Sequence, residues 1–567
     1  MHSIDQSNID KYSTYPLNDP AGPDSIAVPG KENGLAHSPS HIEGQTLDLH
    51  LTTTHRGLKS RHAQMLALGG TIGTGLFVGS GQALQQGGPV FLVIAYCLLT
   101  FLVLGIVTAT TEISSYLPVP GCSVAYYAHR FVSPSMGFAL GWMYWYIFTI
   151  NVPAEVVAAS VIINYWSPPV KIAVWITIFI ILIIILNLLP VSAYGEAEFW
   201  FASLKVLGII GLLIMALVLI LGGGPTHDRL GFTYWKDPGP IKDYVAEGAT
   251  GHFVAFISVT TLSVFAFGFA PELLVVTGGE MQRPRENLPK AGKRYFYRPV
   301  AFYIILGSFA ISMIVSSDND QLLGGGSGAG ASPWAIAARE ASIPVLDSII
   351  NAIILTSAIS AGTSYLYMSS RVLYSLAVAG NAPKIFTRCT GKGVPYYALA
   401  ASATFSLLSY LNLSATGAVV FNWFVNLINT GAYLSWICVC LNYLRFRKIT
   451  SAQGIDHTAL PYRSILQPYV AYVSGGVFSI LLLLNGMAKL FPGHWDTSTF
   501  ITCYIGIVIL FVFYTVHRFT LGRKDPWMRP LQEVDMVSGL AEVIADEEME
   551  LPLEPRKRFQ VWRYLWE

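Results

Sequence analysis

Glu155, Lys205 and Glu272 lie inside stretches of apolar sequence long enough to cross a bilayer. An ionisable side chain costs at least ~2.5–3.5 kcal/mol at the bilayer centre, so each of these needs a partner or a task. A buried carboxylate can hold an ammonium group or carry a proton, and a buried lysine can hold an anion or give a proton up. Two segments rich in helix breakers accompany them. Thr71-Ile-Gly-Thr-Gly75 sits within Gly69–Gly81 (GGTIGTGLFVGSG), and Phe265–Glu272 (FAFGFAPE) contains Gly268 and Pro271. Glycine costs roughly 1 kcal/mol relative to alanine inside a helix, and proline removes a backbone donor. Both segments are expected to interrupt a helix, and backbone interrupted at membrane depth is tolerated only where protein or a water-filled cavity surrounds it. The N–H groups freed at Ile72, Gly73, Thr74 and Gly75 would then present partial positive charge to an anionic group such as a carboxylate.

The elements that must position these residues are membrane helices. Of the 567 residues, 53% are hydrophobic and only 12% charged, which excludes an ordinary water-soluble domain. Lys171–Pro190 (KIAVWITIFIILIIILNLLP) has the ~20 apolar residues that span a ~30 Å hydrocarbon core. It also lacks the alternation of a membrane β-strand. Twelve spans are expected: 63–83, 89–115, 135–163, 171–190, 199–221, 252–276, 299–317, 346–370, 396–412, 418–443, 468–491 and 498–518. An even number places both termini on one side. With the N-terminus inside, only Lys171, Arg229, Lys236, Lys242, Arg339 and Lys489 of the 35 Lys and Arg fall outside, so both termini are expected to be cytoplasmic. Residues 1–60 read as a disordered N-terminal tail, 61–520 as the twelve-span domain and 521–567 as a C-terminal tail with an acidic stretch, Glu542–Glu550, before basic Arg556–Arg558.

The first and sixth spans head two blocks of five, and an odd block length makes the second enter the membrane in the opposite sense. Paired interruptions in the leading helices of two inverted halves are the sequence mark of a secondary transporter with its site at the midplane. Blander readings stand beside this one. Gly69-xxx-Gly73 and Gly75-xxx-Gly79 are also small-xxx-small patterns that bring helices close in lipid, a role that suits the flanking Gly69 and Gly79. Lys205 could snorkel to the inner surface. Arg371 and Glu280, at inner span ends, suit gating or loop anchoring. No HExxH, P-loop or strand-borne GxGxxG is present. Gly324–Ser332 has the glycines of a phosphate loop without its lysine and reads as a linker. Neither an enzyme, a metal centre nor a nucleic-acid partner is expected, and the six cysteines read as packing residues. Asn412-Leu-Ser414 matches a glycosylation sequon too near the membrane surface to favour modification.

Several blocks in order carry a family resemblance: GGTIGTGLFVGSG, Glu112–Tyr146, GEAEFWFASLKV at 195–206, GGEMQRPRENLPKA at 278–291 and SSRVLYSLAVAGNAPKIF at 369–386. The chain resembles the fungal amino-acid permeases of the amino acid–polyamine–organocation superfamily over nearly all of residues 55–520. The resemblance implies an all-α fold of twelve transmembrane helices, with a 5+5 inverted repeat, interrupted spans 1 and 6, and two added spans. It also implies proton-driven uptake of an amino acid across the plasma membrane by alternating access, the proton serving as coupling ion with no other cofactor. By the resemblance, Ile72, Gly73, Thr74 and Gly75 would bind the substrate carboxylate. Phe265, Phe267, Gly268, Phe269 and Glu272 would bind the amino group and shape the pocket, while Lys205, Glu272 and Glu155 would serve proton coupling. Many members have Gly-Thr before the sixth-span glutamate, whereas this chain has Ala270-Pro271. The form FAPELLVVTGGEM is similar to a subgroup that includes proline permeases, so proline or another small neutral amino acid is the expected substrate. A permease-like sensor and a transporter of γ-aminobutyrate, choline or another amine are the alternatives. Besides substrate and lipid, trafficking or ubiquitin-ligase adaptors are the partners expected at the tails.

Overall fold

The computed structural model describes residues 73–119, 122–166, 169–268, 271–272, 275, 283–295, 297, 299–323, 332–414, 417–456 and 460–549, and every regular element among them is helical. Eight helices in this set are long and apolar enough to cross a membrane. One of them, the 42-residue stretch Gly75–Tyr116, bends at Gly88, where φ is 80° and ψ 180°. Glycine adopts that conformation without a steric penalty, and Pro89 follows as an unstrained first helical residue. The bend divides α1 (75–87) from α2 (89–116).

A short helix α3, Val124–Phe131, leads into α4, Pro134–Ile163. Ser123 and Ser133 cap them by accepting the N–H groups of Tyr126 and Met136, each at 3.2 Å. Next come α5, Ile172–Leu188, and α6, Val191–Leu221, which stops at Gly222 in the left-handed conformation usual for a helix end. Then follow α7, Gly248–Phe267, the basic α8, Pro284–Tyr295, and α9, Val300–Ile314. The C-terminal half has α10, Leu346–Val378; α11, Tyr396–Thr404, which tightens to 3₁₀ winding through Leu413; α12, Gly417–Ala452; α13, Tyr469–Leu484; and α14, Thr497–Phe519. The expected spans 171–190 and 299–317 thus correspond to the shorter apolar helices α5 and α9.

Sequence pattern decides which helices are central. In α6, Ala202, Lys205, Ile209 and Leu212 are buried, whereas Leu204, Leu207, Ile214 and Leu217 are exposed. The stripe repeats every three to four residues, so one face meets protein and the other is apolar enough for lipid. By contrast, α4 is buried nearly all round and packs most extensively on α10, with α12 and α14 on its other sides. The start of α1 and the end of α7 lie against each other beside this core.

Residues beyond α14 return across one end of the bundle. Val534 and Met536 are buried. The Arg130 guanidinium pairs with the Asp535 carboxylate at 3.2 Å. Gln453 Nε2 donates to the carbonyls of Leu531 and Val534 at 3.0 and 2.7 Å, and Arg529 N–H donates to the Val132 carbonyl at 2.9 Å. Three buried apolar residues, Val543 being the third, and several backbone carbonyls therefore fasten the described part of the segment from residue 521 onward.

Candidate functional site

The two interruptions meet. Helix α7 stops at Phe267, and Gly268 follows with φ +51°, in the region that favours glycine. Helical winding resumes at Pro271 and Glu272, where a fixed φ and a missing donor suit a helix start. On the facing segment, Gly73 lies outside helix and Thr74 inside it, with Gly75–Gly79 wound as a π-helix, a form found often at functional positions. A Cβ on Gly75 would stand 2.9 Å from Cα of Ala266 and 2.9 Å from Cδ1 of Phe265. Backbone cannot yield as a side-chain tip can, so glycine is what lets the start of α1 touch the end of α7.

Gly73 is wedged similarly: its Cβ would fall 2.2 Å from Glu155 Oε1 and 3.1 Å from the Ala361 Cβ. At Gly79, whose spacing suggests close helix packing, the same construction meets nothing within 4 Å. The packing expectation for Gly79 is therefore corrected. Close approach belongs to Gly73 and Gly75, because the broken end, not the helix body, is enclosed by α4, α7 and α10. Ile72, Phe269, Gly69 and Glu280 lie outside the described residues.

Glu155 is 1% exposed, and its Oε2 accepts the Thr74 N–H at 3.4 Å and the Thr74 hydroxyl at 3.2 Å. A donor that could serve a ligand carboxylate is thus held by a carboxylate of the chain itself, at the positive end of a helix. Glu272, also 1% exposed, joins α7 to α4 and α12: its Oε1 accepts the Ser435 hydroxyl at 2.7 Å and the Tyr144 hydroxyl at 3.3 Å. Its Oε2 is buried without a partner among the described residues. The carboxylate is positioned by two hydroxyls on one oxygen and leaves the other for a donor such as an ammonium group.

Lys205 is 1% exposed on the inward face of α6, so its ammonium does not snorkel to the bundle surface. It interacts electrostatically with Glu155 and with Glu198. Glu198 was not singled out from sequence. It is 1% exposed, and the Ser360 hydroxyl of α10 lies 2.8 Å from both its oxygens. The signal was present in GEAEFWFASLK: Glu198 precedes Lys205 by seven residues, two helical turns, which puts both on one face. Lys205 thereby stands among carboxylates that also touch α1 and α10.

The aromatic residues divide. Phe265 meets Phe421 of α12 edge to face, with centroids 5.7 Å apart. Phe267 is fully buried and packs on Tyr303 at 4.5 Å and Tyr96 at 5.8 Å, within the wall between α2, α7 and α9. Arg371, expected at an inner span end, lies instead two turns inside α10, buried, 3.4 Å over the Tyr367 ring, which stacks on Tyr194 of α6 at 4.4 Å. Asn412 of the sequon is half-buried and donates to the Ser160 hydroxyl at 3.0 Å. No cluster of three His, Cys, Asp or Glu residues suited to a metal occurs among the described residues.

Comparisons with known proteins agree on one family. The profile of the family described as "Amino acid permease" matches residues 62–529. The chain is 44% identical over 533 residues to the proline-specific permease of Emericella nidulans, covering 93% of this chain and 96% of that one. It is 44% identical over 502 residues to a probable proline-specific permease of Schizosaccharomyces pombe, covering 88% and 90%. A dicarboxylic amino acid permease of Saccharomyces cerevisiae is 38% identical over 530 residues, covering 92% and 84%.

Proposed function

We propose that this chain, which belongs to the amino acid permease family, imports proline, or a similarly small neutral amino acid, across the plasma membrane together with a proton. The observation that carries this reading is the junction of the two interruptions, Gly75 against Ala266 and Phe265, with Glu155, Lys205 and Glu272 buried around it. Names of relatives support proline over acidic substrates: the two proline-specific relatives stand at 44% identity and the dicarboxylic one at 38%. The proposed architecture is twelve spans, with the first ten as two inverted five-span repeats and both termini cytoplasmic. The distribution of Lys and Arg supports that orientation, and the paired interruptions support the repeat.

In this reading Glu272 Oε2 receives the substrate amino group while Ser435 and Tyr144 hold the other oxygen. The substrate carboxylate takes the N–H groups at the start of α1. Glu155 occupies one of those donors, and two carboxylates cannot share it without repulsion. A proton on Glu155 removes its charge, releases Thr74 and admits the substrate. Lys205, held by Glu198 and Glu155, exchanges charge with them as α1 moves relative to α6. Phe265 and its neighbour Phe421 close the site on one side.

Expression in a permease-deficient yeast tests the reading with labelled proline and a competition panel of amino acids, γ-aminobutyrate and choline. Accumulation competed chiefly by small neutral amino acids is expected. Uptake competed only by amines would replace the substrate class, and signalling without flux would replace transport.

A further inference from the structure

Basic residues crowd the connection between α7 and α9: Arg283, Arg285, Lys290, Lys293, Arg294 and Arg298 stand against one acid, Glu286. In α8 they share the helix with a buried stripe. Leu288, Ala291 and Gly292 are buried, and a Cβ on Gly292 would stand 2.6 Å from the Thr111 hydroxyl oxygen. The helix is therefore seated on the last turns of α2 by its apolar side, which leaves its charged side outward.

On that side Arg285, Glu286, Pro289, Lys290 and Lys293, together with Pro461 of the α12–α13 link, line a shallow cavity of about 500 Å³. Small-ligand sites fall in the range ~300–1,000 Å³. Both walls are fixed on α2, because the link is held there as α8 is. The Ser464 N–H donates to Glu112 Oε1 at 2.7 Å, and Gln467 Nε2 donates to the Gly105 carbonyl at 2.8 Å. The one carboxylate in the lining is already engaged: Glu286 pairs with Arg283 at 3.0 Å and with Lys290 at 3.9 Å. The cavity thus keeps an excess of positive charge, carried by the two side-chain types that bind phosphate oxygens.

Its surroundings favour a lipid over a soluble anion. Tyr297 follows Lys293 by four residues and is 72% exposed, and Ile465 follows Pro461 by four and is 98% exposed, with Tyr469 beyond it at 76%. Exposed tyrosines beside apolar side chains suit the headgroup level of a bilayer. The acidic helix Leu540–Met549 supplies none of the residues that line the cavity, and Gly539 before it is seated against Val119.

We propose that this cavity binds an inner-leaflet phospholipid whose headgroup carries more than one phosphate, with Arg285, Lys290 and Lys293 holding the phosphates. Basic pockets on the cytoplasmic side of membrane helices recognise such headgroups through summed charge. A headgroup with several phosphates uses the three cations together, whereas phosphatidylserine offers them one net charge. The inference rests on the orientation in the transport reading and is independent of the substrate.

Native mass spectrometry of the detergent-purified full chain, titrated with a dioctanoyl phosphatidylinositol bisphosphate, tests it. One tight adduct is expected. Replacing Arg285, Lys290 and Lys293 together by Gln should weaken it about a hundred-fold, at about five-fold per charge. If that variant does not elute as folded chain, Lys290→Gln with Lys293→Gln decides, with an expected loss of about twenty-five-fold. Lys489→Gln, on the outer side, should leave the adduct unchanged. Unchanged affinity in the first two variants, equal weakening by Lys489→Gln, or equal binding of dioctanoyl phosphatidylserine would overturn the site. Equally tight binding of free inositol trisphosphate would overturn the lipid as its occupant. The transport reading fails separately, by absence of labelled proline uptake, and its orientation by antibody access to a C-terminal tag in intact cells.

Discussion

The middle of the bundle and the end crossed by residues 521–549 both bury charge, but they differ in how their carboxylates are held; open donors occur at the end as well, where Arg447 Nη1 and Arg529 Nε are buried without a hydrogen-bond partner among the described residues. At the end, Arg130 has the Asp535 carboxylate, the Tyr126 hydroxyl and two backbone carbonyls, and Arg445 takes the carbonyls of Phe131 and Arg529. Glu112 accepts the Tyr443 hydroxyl at 2.6 Å and the Ser464 N–H at 2.7 Å. In the middle, Glu272 keeps one oxygen unpartnered among the described residues, and the two bonds that Glu155 Oε2 accepts from Thr74 are both longer than 3 Å. Saturated networks rigidify a fold, whereas a buried polar atom left open costs about 1–3 kcal/mol and persists where something else is to bind it. The first region fastens the bundle, and the second is where the proposed transport exchanges ligands.

The largest expected effect from breaking this contrast is at Glu272. Glu272→Gln keeps size and hydrogen bonding while removing the charge, and removing one side of a buried charge pair should cut proline uptake roughly a hundred-fold or more. Surface biotinylation should show normal amounts of chain, and wild-type uptake would place the amino group elsewhere. Next comes a glycine comparison: Gly73→Ala forces a methyl into the Glu155 carboxylate and should abolish most uptake, while Gly79→Ala, with open space around it, should change uptake less than about two-fold. Equal losses would mean that the whole stretch serves packing. Lys205→Met should leave substrate binding measurable but remove the dependence of uptake on external pH. An unchanged pH profile would reduce Lys205 to a structural cation.

The smallest effect is expected at the fastened end. Arg130→Ala should leave uptake within about two- to three-fold, because a pair with a half-exposed partner contributes little, yet speed tryptic cleavage after Arg523. Acid should do the same to the wild-type chain in detergent. Burial opposes ionisation of Asp535, but hydrogen bonds from the Ser538 side chain and N–H and from the Val537 N–H, with the charge of Arg130, lower its pKa to about 2. The carboxylate thus favours the docked segment fully above the ordinary aspartate range near 3.8, and that contribution fades as pH falls through about 2. Cleavage kinetics flat from pH 4 to 2, measured with an acid-active protease, would contradict the role of Asp535.

The central site was legible where residue type alone is unusual. Charges in apolar runs gave Glu155, Lys205 and Glu272, and glycine with proline gave both interruptions, since each violates a local helical or membrane preference. Glu198 was missed because a glutamate near a span end reads as solvated, and only its register with Lys205 turns it inward. Ser435 and Tyr144 carry no signal of their own, because hydroxyl residues in membrane helices usually satisfy their own backbone. Gly79 misled because spacing does not say which stretch of a broken helix is enclosed. The docking of residues 521–549 was hidden for a related reason: Val534, Met536 and Val543, scattered among charged residues without a helical or strand period, look like tail until the fold buries them.

The central claim is that the junction of the two interruptions binds an amino acid and couples it to a proton. Proline-evoked proton entry into vesicles carrying the purified chain, read with an internal pH dye at zero membrane potential, tests it most directly. Acidification on adding proline to the wild-type chain, absent for Glu272→Gln and Lys205→Met, is the expected result. Proline entry without any pH change in the wild-type chain would contradict it.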